Sequence, residues 1–331
     1  MKKTLLLLSA LALTASLLFA TPITYTGDFQ FGYKTSFKDG IDVSPLSKAE
    51  VAMDAKLSFS YGTITLSTVN GNNSRNIDAN LSFRLSKAIE FAHNIELPVD
   101  LTLGLGGTQA VETVSAYKSY FGGKSDILMV SKTNTDAVSL QGIVGGWLFN
   151  ISGSPITDGT DLAASFKFIP KKGLELSAAW VLNGAYYNAN NKYAKLKDGA
   201  VAAAVSFDAQ KFLATDFEAV ASVADVYCLG ENINQLSASL ALGFGKFDLY
   251  AESLVVTKPA ADAAWALSSK AVYNQDGLFY PALYMSVSDK EESLTLGASA
   301  SLKLQTLTLS CSLDWNKSAG LTSTSKVKMS F

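Results

Sequence analysis

The chain has 331 residues, is 48% hydrophobic and 17% charged, and carries a formal net charge of −2. Beyond its first twenty residues it has no apolar run approaching the roughly 18 needed for a membrane-spanning helix, which excludes a helical membrane protein, and its hydrophobicity excludes a disordered chain. Two cysteines cannot build a disulfide scaffold, and a mildly acidic chain does not suit nucleic-acid binding.

The first predicted element is a leader. Lys2 and Lys3 precede a Leu- and Ala-rich stretch from Leu5 to Phe19, and Ala20 offers a small residue before Thr21. This is the pattern of a secretory signal peptide over residues 1–20. Its removal takes the formal charge from −2 to about −4. Residues 21–331 read as one domain, with no interdomain linker and no repeat longer than a hairpin.

From residue 25 onward, apolar and polar residues alternate, which on a pleated strand sends one kind to each face. Tyr25, Phe29, Phe31, Tyr33 and Phe37 interleave with Thr26, Asp28, Gln30, Lys34 and Ser36. In chain order, the predicted strands cover residues 25–37, 49–61, 64–68, 77–85, 97–105, 162–168, 174–182, 201–207, 213–223, 236–244, 247–255, 265–273, 294–304, 307–315 and 321–331. Two more fall at 138–150 and 278–288, and residues 108–132 read as either strand or helix. Many of these segments approach the roughly 9 to 11 residues with which a tilted strand crosses a bilayer.

The placement of charge separates a membrane barrel from a soluble sandwich. A lipid-facing Lys or Arg at the bilayer midplane costs about 2–4 kcal/mol, whereas one facing the lumen is solvated. Across the first fifteen segments the apolar phase holds no Asp, Glu, Lys or Arg, while the intervening phase holds nineteen. Connections alternate as well. Gln305, Gly245–Lys246, 208–211 and 170–173 are short, whereas 257–262, 225–233 and 183–198 are longer and polar. That alternation belongs to up-and-down barrels with tight turns at one end and longer loops at the other. Aromatics such as Tyr61, Phe207, Phe244, Phe247, Trp265, Tyr273 and Trp315 lie near segment ends, where interfacial girdles form.

The last residues alternate again. Val327, Met329 and Phe331 are separated by Lys328 and Ser330, with an aromatic at the final position. This pattern resembles the C-terminal insertion signal of outer-membrane barrels, and over residues 21–331 the chain resembles porin-like outer-membrane β-barrel proteins of diderm bacteria. Its lysine-rich, arginine-poor composition is similar to that of spirochaete outer-membrane proteins. The expected fold is all-β, a transmembrane up-and-down antiparallel barrel of about 16 to 18 strands. The resemblance implies residence in the bacterial outer membrane, with membrane lipid and the barrel-assembly machinery as partners, and it implies a possible homo-oligomer. General porins set an arginine cluster against acids, and Arg75 and Arg84, the only arginines, do not supply one.

A barrel of 16 or more strands encloses an aqueous channel. The pore-lining candidates are Asp28, Lys34, Glu50, Asp54, Lys56, Arg84, Asp100, Glu175, Asp216, Glu218, Asp248, Glu252, Lys270 and Lys303. With Asp78, Asp314, Lys167, Lys326 and Lys328, acids outnumber bases by three. The expected function is passive diffusion of small hydrophilic solutes or ions with weak cation preference. A surface barrel acting as adhesin or structural antigen, or a substrate-specific uptake channel, are the alternatives. No enzyme is expected, since the only histidine, His93, sits in a connection and no Gly-x-Ser-x-Gly surrounds a serine. His93, Cys228 and Cys311 have no ligand spacing, so no catalytic residue, metal or cofactor is expected. Cys228 falls in a predicted loop, and Cys311 falls in the apolar phase.

Overall fold

Alternation with period two becomes a single antiparallel sheet whose two faces differ in chemistry. The computed structural model describes residues 24–71, 74–106, 138–154, 161–182, 185–187, 193–195, 199–230, 232–259, 261–274, 277–289 and 293–330. The expected leader, residues 108–132 and Phe331 lie outside them.

In chain order the first strands are β1 (Thr24–Ser36), β2 (Asp42–Phe59), β3 (Gly62–Gly71) and β4 (Ser74–Arg84), followed by helix α1 (Leu85–His93). Next come β5 (Asp100–Leu105), β6 (Val138–Val144), β7 (Trp147–Ser154), β8 (Asp161–Lys171), β9 (Leu174–Leu182), and the small strands β10 (Ala185–Tyr187) and β11 (Tyr193–Lys195). β12 (Ala200–Asp208) leads into helix α2 (Ala209–Leu213). The chain ends with β13 (Glu218–Cys228), β14 (Ile233–Phe244), β15 (Phe247–Thr257), β16 (Ala264–Tyr273), β17 (Phe279–Ser288), β18 (Thr295–Leu304), β19 (Leu307–Asn316) and β20 (Gly320–Ser330).

Eighteen of these strands form one sheet, while β10 and β11 pair only with each other. Each strand of the sheet pairs with its sequence neighbours, with β9 joined directly to β12. The last strand returns to the first. β20 pairs with β19 from Leu307↔Met329 to Asn316↔Gly320 and with β1 from Asp28↔Ser330 to Ser36↔Thr322. Each of the eighteen strands therefore has a hydrogen-bonded neighbour on both sides. Ring pairing of this kind leaves no exposed edge.

The sheet differs from the sequence expectation in several places. The run at 138–150 splits into β6 and β7, because Gly145 takes φ +56 and turns the chain within two residues. β2 begins at Asp42, and β3 and β4 extend to Gly71 and Ser74, so strand fills much of two expected loops. The strand expected from 213 begins at Glu218 instead. There the Asp208 carboxylate accepts the Lys211 backbone N–H at 3.0 Å, caps α2, and draws Leu213 into a helix that ends at Ala214 with φ +53.

Both helices sit at the end of the sheet that carries the tight turns. α1 fills the connection left open by the sequence and is pinned to β5, where Ser86 Oγ accepts the Leu101 N–H at 3.1 Å. Asn94, left-handed at φ 51, donates to the Glu90 carbonyl and ends the helix. The Glu90 carboxylate accepts from Lys87 Nζ at 2.9 Å and from the Leu97 N–H at 3.1 Å. These contacts, Lys87 first, hold its carboxyl below the usual carboxylate range and raise the Lys87 ammonium in turn. His93 is the exposed last residue of α1.

Candidate functional site

Antiparallel partners lie on the same face of a sheet, so the register assigns a face to every residue from one starting point. Starting at Asp28, one face carries Glu50 on β2, Thr65 on β3 through Lys56, and Asn80 on β4. It continues through Thr102 and Gln141 to Asn150 and Ser165. Farther round come Glu175, Ser206, Ser222, Ser239, Glu252, Ser268, Ser286 and Thr295. Asn316 and Gly320 close the same row.

By register this face takes thirteen acidic and nine basic strand positions, an excess of four acids. Asp54, Asp78 and Asp161 are placed there by backbone alone. On the strands, the opposite face carries only Asp225 on β13 and Arg75 on β4, again placed by backbone, apart from Lys171 beside a register shift at the end of β8.

Burial shows which face is enclosed. On the strands, the exposed large hydrophobics belong to the uncharged face, with Ile143 on β6 the exception: Phe31, Val223, Leu236, Leu283, Leu313 and Val327 are among them, Leu283 at 67% exposure. The buried side chains of the strands, among them Ser152, Ser222, Ser237, Ser268 and Glu252, lie on the charged face. This inverts the arrangement of a water-soluble protein, where apolar side chains pack inward and charges face water. Aromatics contact one another round the turn end. Phe59 stacks on Phe83, Trp147 on Phe168 at 3.7 Å, Phe217 meets Phe244 edge-on, and Phe247 packs on Tyr273 at 5.0 Å.

Most of the expected lining residues fall on the charged face. Asp28 pairs with Lys328 at 2.9 Å and accepts from Ser330 Oγ. Glu50 pairs with Lys48, and Glu175 pairs with Lys167 at 3.0 Å. Lys34 stands between Ser44 and Thr324, while Arg84 lies opposite Thr102, with Asp100 two positions before Thr102 on the same face of β5. Glu218 and Asp248 both register with Gly243, and the Glu218 side chain lies over that glycine. Lys270 registers with Tyr250 and Tyr284, and Lys303 Nζ sits 4.4 Å over the Tyr280 ring.

Asp216 is the exception. It is exposed in the connection between α2 and β13 and lines no strand, for the capping reason given above. Val327 and Met329 are exposed on the uncharged face of β20. Cys228 also departs from expectation, because β13 continues to residue 228 and turns the thiol to the charged face, fully buried. Cys311 lies exposed on the opposite face of β19.

The charged face is not evenly wet. Along β8, β9 and β12–β14, Ala163, Val181, Ala200, Val226, Cys228 and Ile233 form a buried apolar cluster. Glu252 on β15, between Ser239 and Ser268, is only 1% exposed.

Two features were not named from the sequence. One is Tyr284, whose hydroxyl donates to Asp314 Oδ1 two strands away, while Ser312 Oγ donates to Asp314 Oδ2 at 3.1 Å. The Tyr284 ring lies flat over Gly297, where an added Cβ would meet its Cζ at 2.2 Å. Gly297→Ala is therefore expected to displace the ring and lower stability by about 1–3 kcal/mol. The check is the denaturant midpoint of the lipid-folded protein. Gly297→Ala combined with Tyr284→Ala should cost less than the two changes summed. The signal was present as an in-phase Gly and Tyr, but only the register places them side by side. The second feature is a hollow in the wall between β3 and β7, lined on the charged face by hydroxyl and amide side chains. Among the described residues, no group of His, Cys, Asp and Glu could hold a metal ion.

No protein-family model and no curated protein matches the sequence. Solved structures share its fold. A multiply substituted variant of the Rh. blastica porin superposes with TM-score 0.51 at 11% identity, covering 94% of this chain and 100% of the porin chain. A chain described under the words asymmetric conductivity of engineered proteins superposes with TM-score 0.52 at 11% identity and the same coverage. The protein is thus similar in fold to porins along nearly its whole length.

Proposed function

We propose that the protein is an outer-membrane channel that passes small hydrophilic solutes and ions and weakly prefers cations. The observation that carries this reading is the inverted sheet, a ring of eighteen strands with exposed apolar side chains outside and charges inside. Water cannot satisfy backbone groups within a bilayer, so a spanning sheet must pair all round, and this one does. Sixteen to eighteen strands give a lumen wide enough for water. The fold shared with porins supports the same conclusion.

The leader over residues 1–20 would export the chain. The alternation of Val327 and Met329 up to Phe331 would be read by the assembly machinery, and the aromatic contacts at the turn end would sit at a membrane interface. The acidic excess inside supports cation preference, and several acids are locally neutralised by lysines, which keeps it weak. The buried apolar cluster on β8–β14 directs the water path along the remaining wall.

Refolded protein in a planar bilayer should give stable conductance steps in KCl, with a reversal potential under a salt gradient directed towards cations. Glu218→Gln combined with Asp248→Asn should move that potential towards zero without abolishing the steps. Inserted protein that gives no steps would overturn the channel reading, and an anion-directed potential would overturn the charge assignment.

A further inference from the structure

We infer that the inner wall between β3 and β7 is a binding subsite for neutral, hydroxyl-rich solutes of about monosaccharide size. This rests on the channel reading for access but makes a separate claim about recognition.

The register brings the groups together. Thr65 stands opposite Asn80, and Thr102 stands opposite Gln141, which in turn stands opposite Asn150. Ser82 faces Gly104, and Gly104 also faces Ser139. Since Gly104 has no side chain, the surface sinks at the middle of this group. The result is a hollow of about 300 Å³ whose lining side chains on the inner face are all hydroxyls or amides. That is the lower end of the size range for small-molecule pockets.

Hydroxyls and amides both donate and accept, as sugar hydroxyls do, so such a wall can replace the hydration of a neutral polyol group by group. It supplies no counter-charge within the hollow for an ion that sheds water there. Of the charges nearest in register, Lys56 opposite Thr65 and Arg84 opposite Thr102 are exposed, and Asp78 stands two positions before Asn80 on β4. Asp100 lies on the same face beside Arg84.

Asn80 adds a second observation. Its Oδ1 is shut off from solvent and accepts no hydrogen bond. Asparagine χ2 is a broad torsion, so a partial rotation of the amide brings this oxygen to the edge of the hollow that Asn80 lines, where a solute hydroxyl can donate to it. Buried acceptors in native proteins are nearly always paired, and a solute supplies the partner this wall leaves out. Elsewhere the inner face includes charged groups, as along β1, β2, β15 and β20, and a buried apolar cluster, as along β8–β14. Within the hollow itself no lining side chain is charged, and the amides of Asn80, Gln141 and Asn150 stand on three strands around it.

The test uses the refolded protein with two independent readouts. Ligand-observed NMR titration with glucose and with gluconate measures binding whether or not the channel conducts, and KCl conductance measures the channel alone. Glucose should bind saturably and more tightly than gluconate. Thr102→Val and Gln141→Leu, made singly, keep the side-chain volume and should weaken glucose binding about tenfold when combined, leaving the KCl steps unchanged. Saturable glucose binding without conductance would sink the channel reading and uphold the subsite. Conductance with no saturable glucose binding, tighter binding of gluconate, or variants that bind as the unmodified protein does would each overturn the subsite.

Discussion

Deleting residues 320–331 is expected to abolish assembly of the protein into lipid. β20 is the strand through which the ring closes, in register with β19 along Leu307↔Met329 to Asn316↔Gly320 and with β1 along Asp28↔Ser330 to Ser36↔Thr322. Its loss leaves the facing backbone groups of β19 and β1 without partners. In hydrocarbon each unsatisfied group costs several kcal/mol, and no water is present to replace the bond. The sum exceeds the whole stability of an ordinary domain, about 5–15 kcal/mol. Heat-modifiable migration in gels and protection of strands from protease in vesicles report the assembled state, and both should disappear. Removing only the Ser330 hydroxyl contact to Asp28 should leave assembly intact, since that bond lies at the turn-end rim. A truncated chain that still folds into vesicles would show that the sheet does not span the membrane as a ring.

Leu283→Arg is expected to destabilise the lipid-folded protein by about 2–4 kcal/mol, whereas Ser299→Arg, close by on the other face, should change stability by less than about 1 kcal/mol. Leu283 lies at the middle of β17, 67% exposed, on the face without charges. Ser299 registers with Ala282 and Ser312 on the charged face. The guanidinium meets hydrocarbon in the first case and the lumen in the second. Urea titration of protein folded into vesicles measures both variants. Equal effects of the two substitutions would mean that the apolar face is not turned to lipid. A soluble assembly that covers that face would then fit better.

The strands were legible in the sequence because a pleated backbone sends successive side chains to opposite faces, and a bilayer penalises charge on one of them. Lys34, Glu50, Glu252 and Lys303 could be assigned to one face from phase alone, and the register places them there. Phase breaks where the chain leaves the strand. Asp216 matched the alternation of its neighbours, but the cap at Asp208 turns the preceding residues into a helix, and period two carries no information about capping. Lys48 escaped notice because strand β2 starts earlier than its apolar run.

Alone, the sequence determined which residues face apart, the alternation of turns and loops, and a strand number close to eighteen. These are one-dimensional properties, set by periodicity and by polar connections. Tertiary structure decided everything that depends on which strands are neighbours. Ring closure through β20, the Tyr284 ring over Gly297, the buried cluster beside Cys228, and the uncharged hollow at Gly104 all join residues distant in sequence. The reason is physical. Alternation assigns a side chain to a face, but cross-strand register, set by hydrogen bonding between whole strands, decides what it touches on that face.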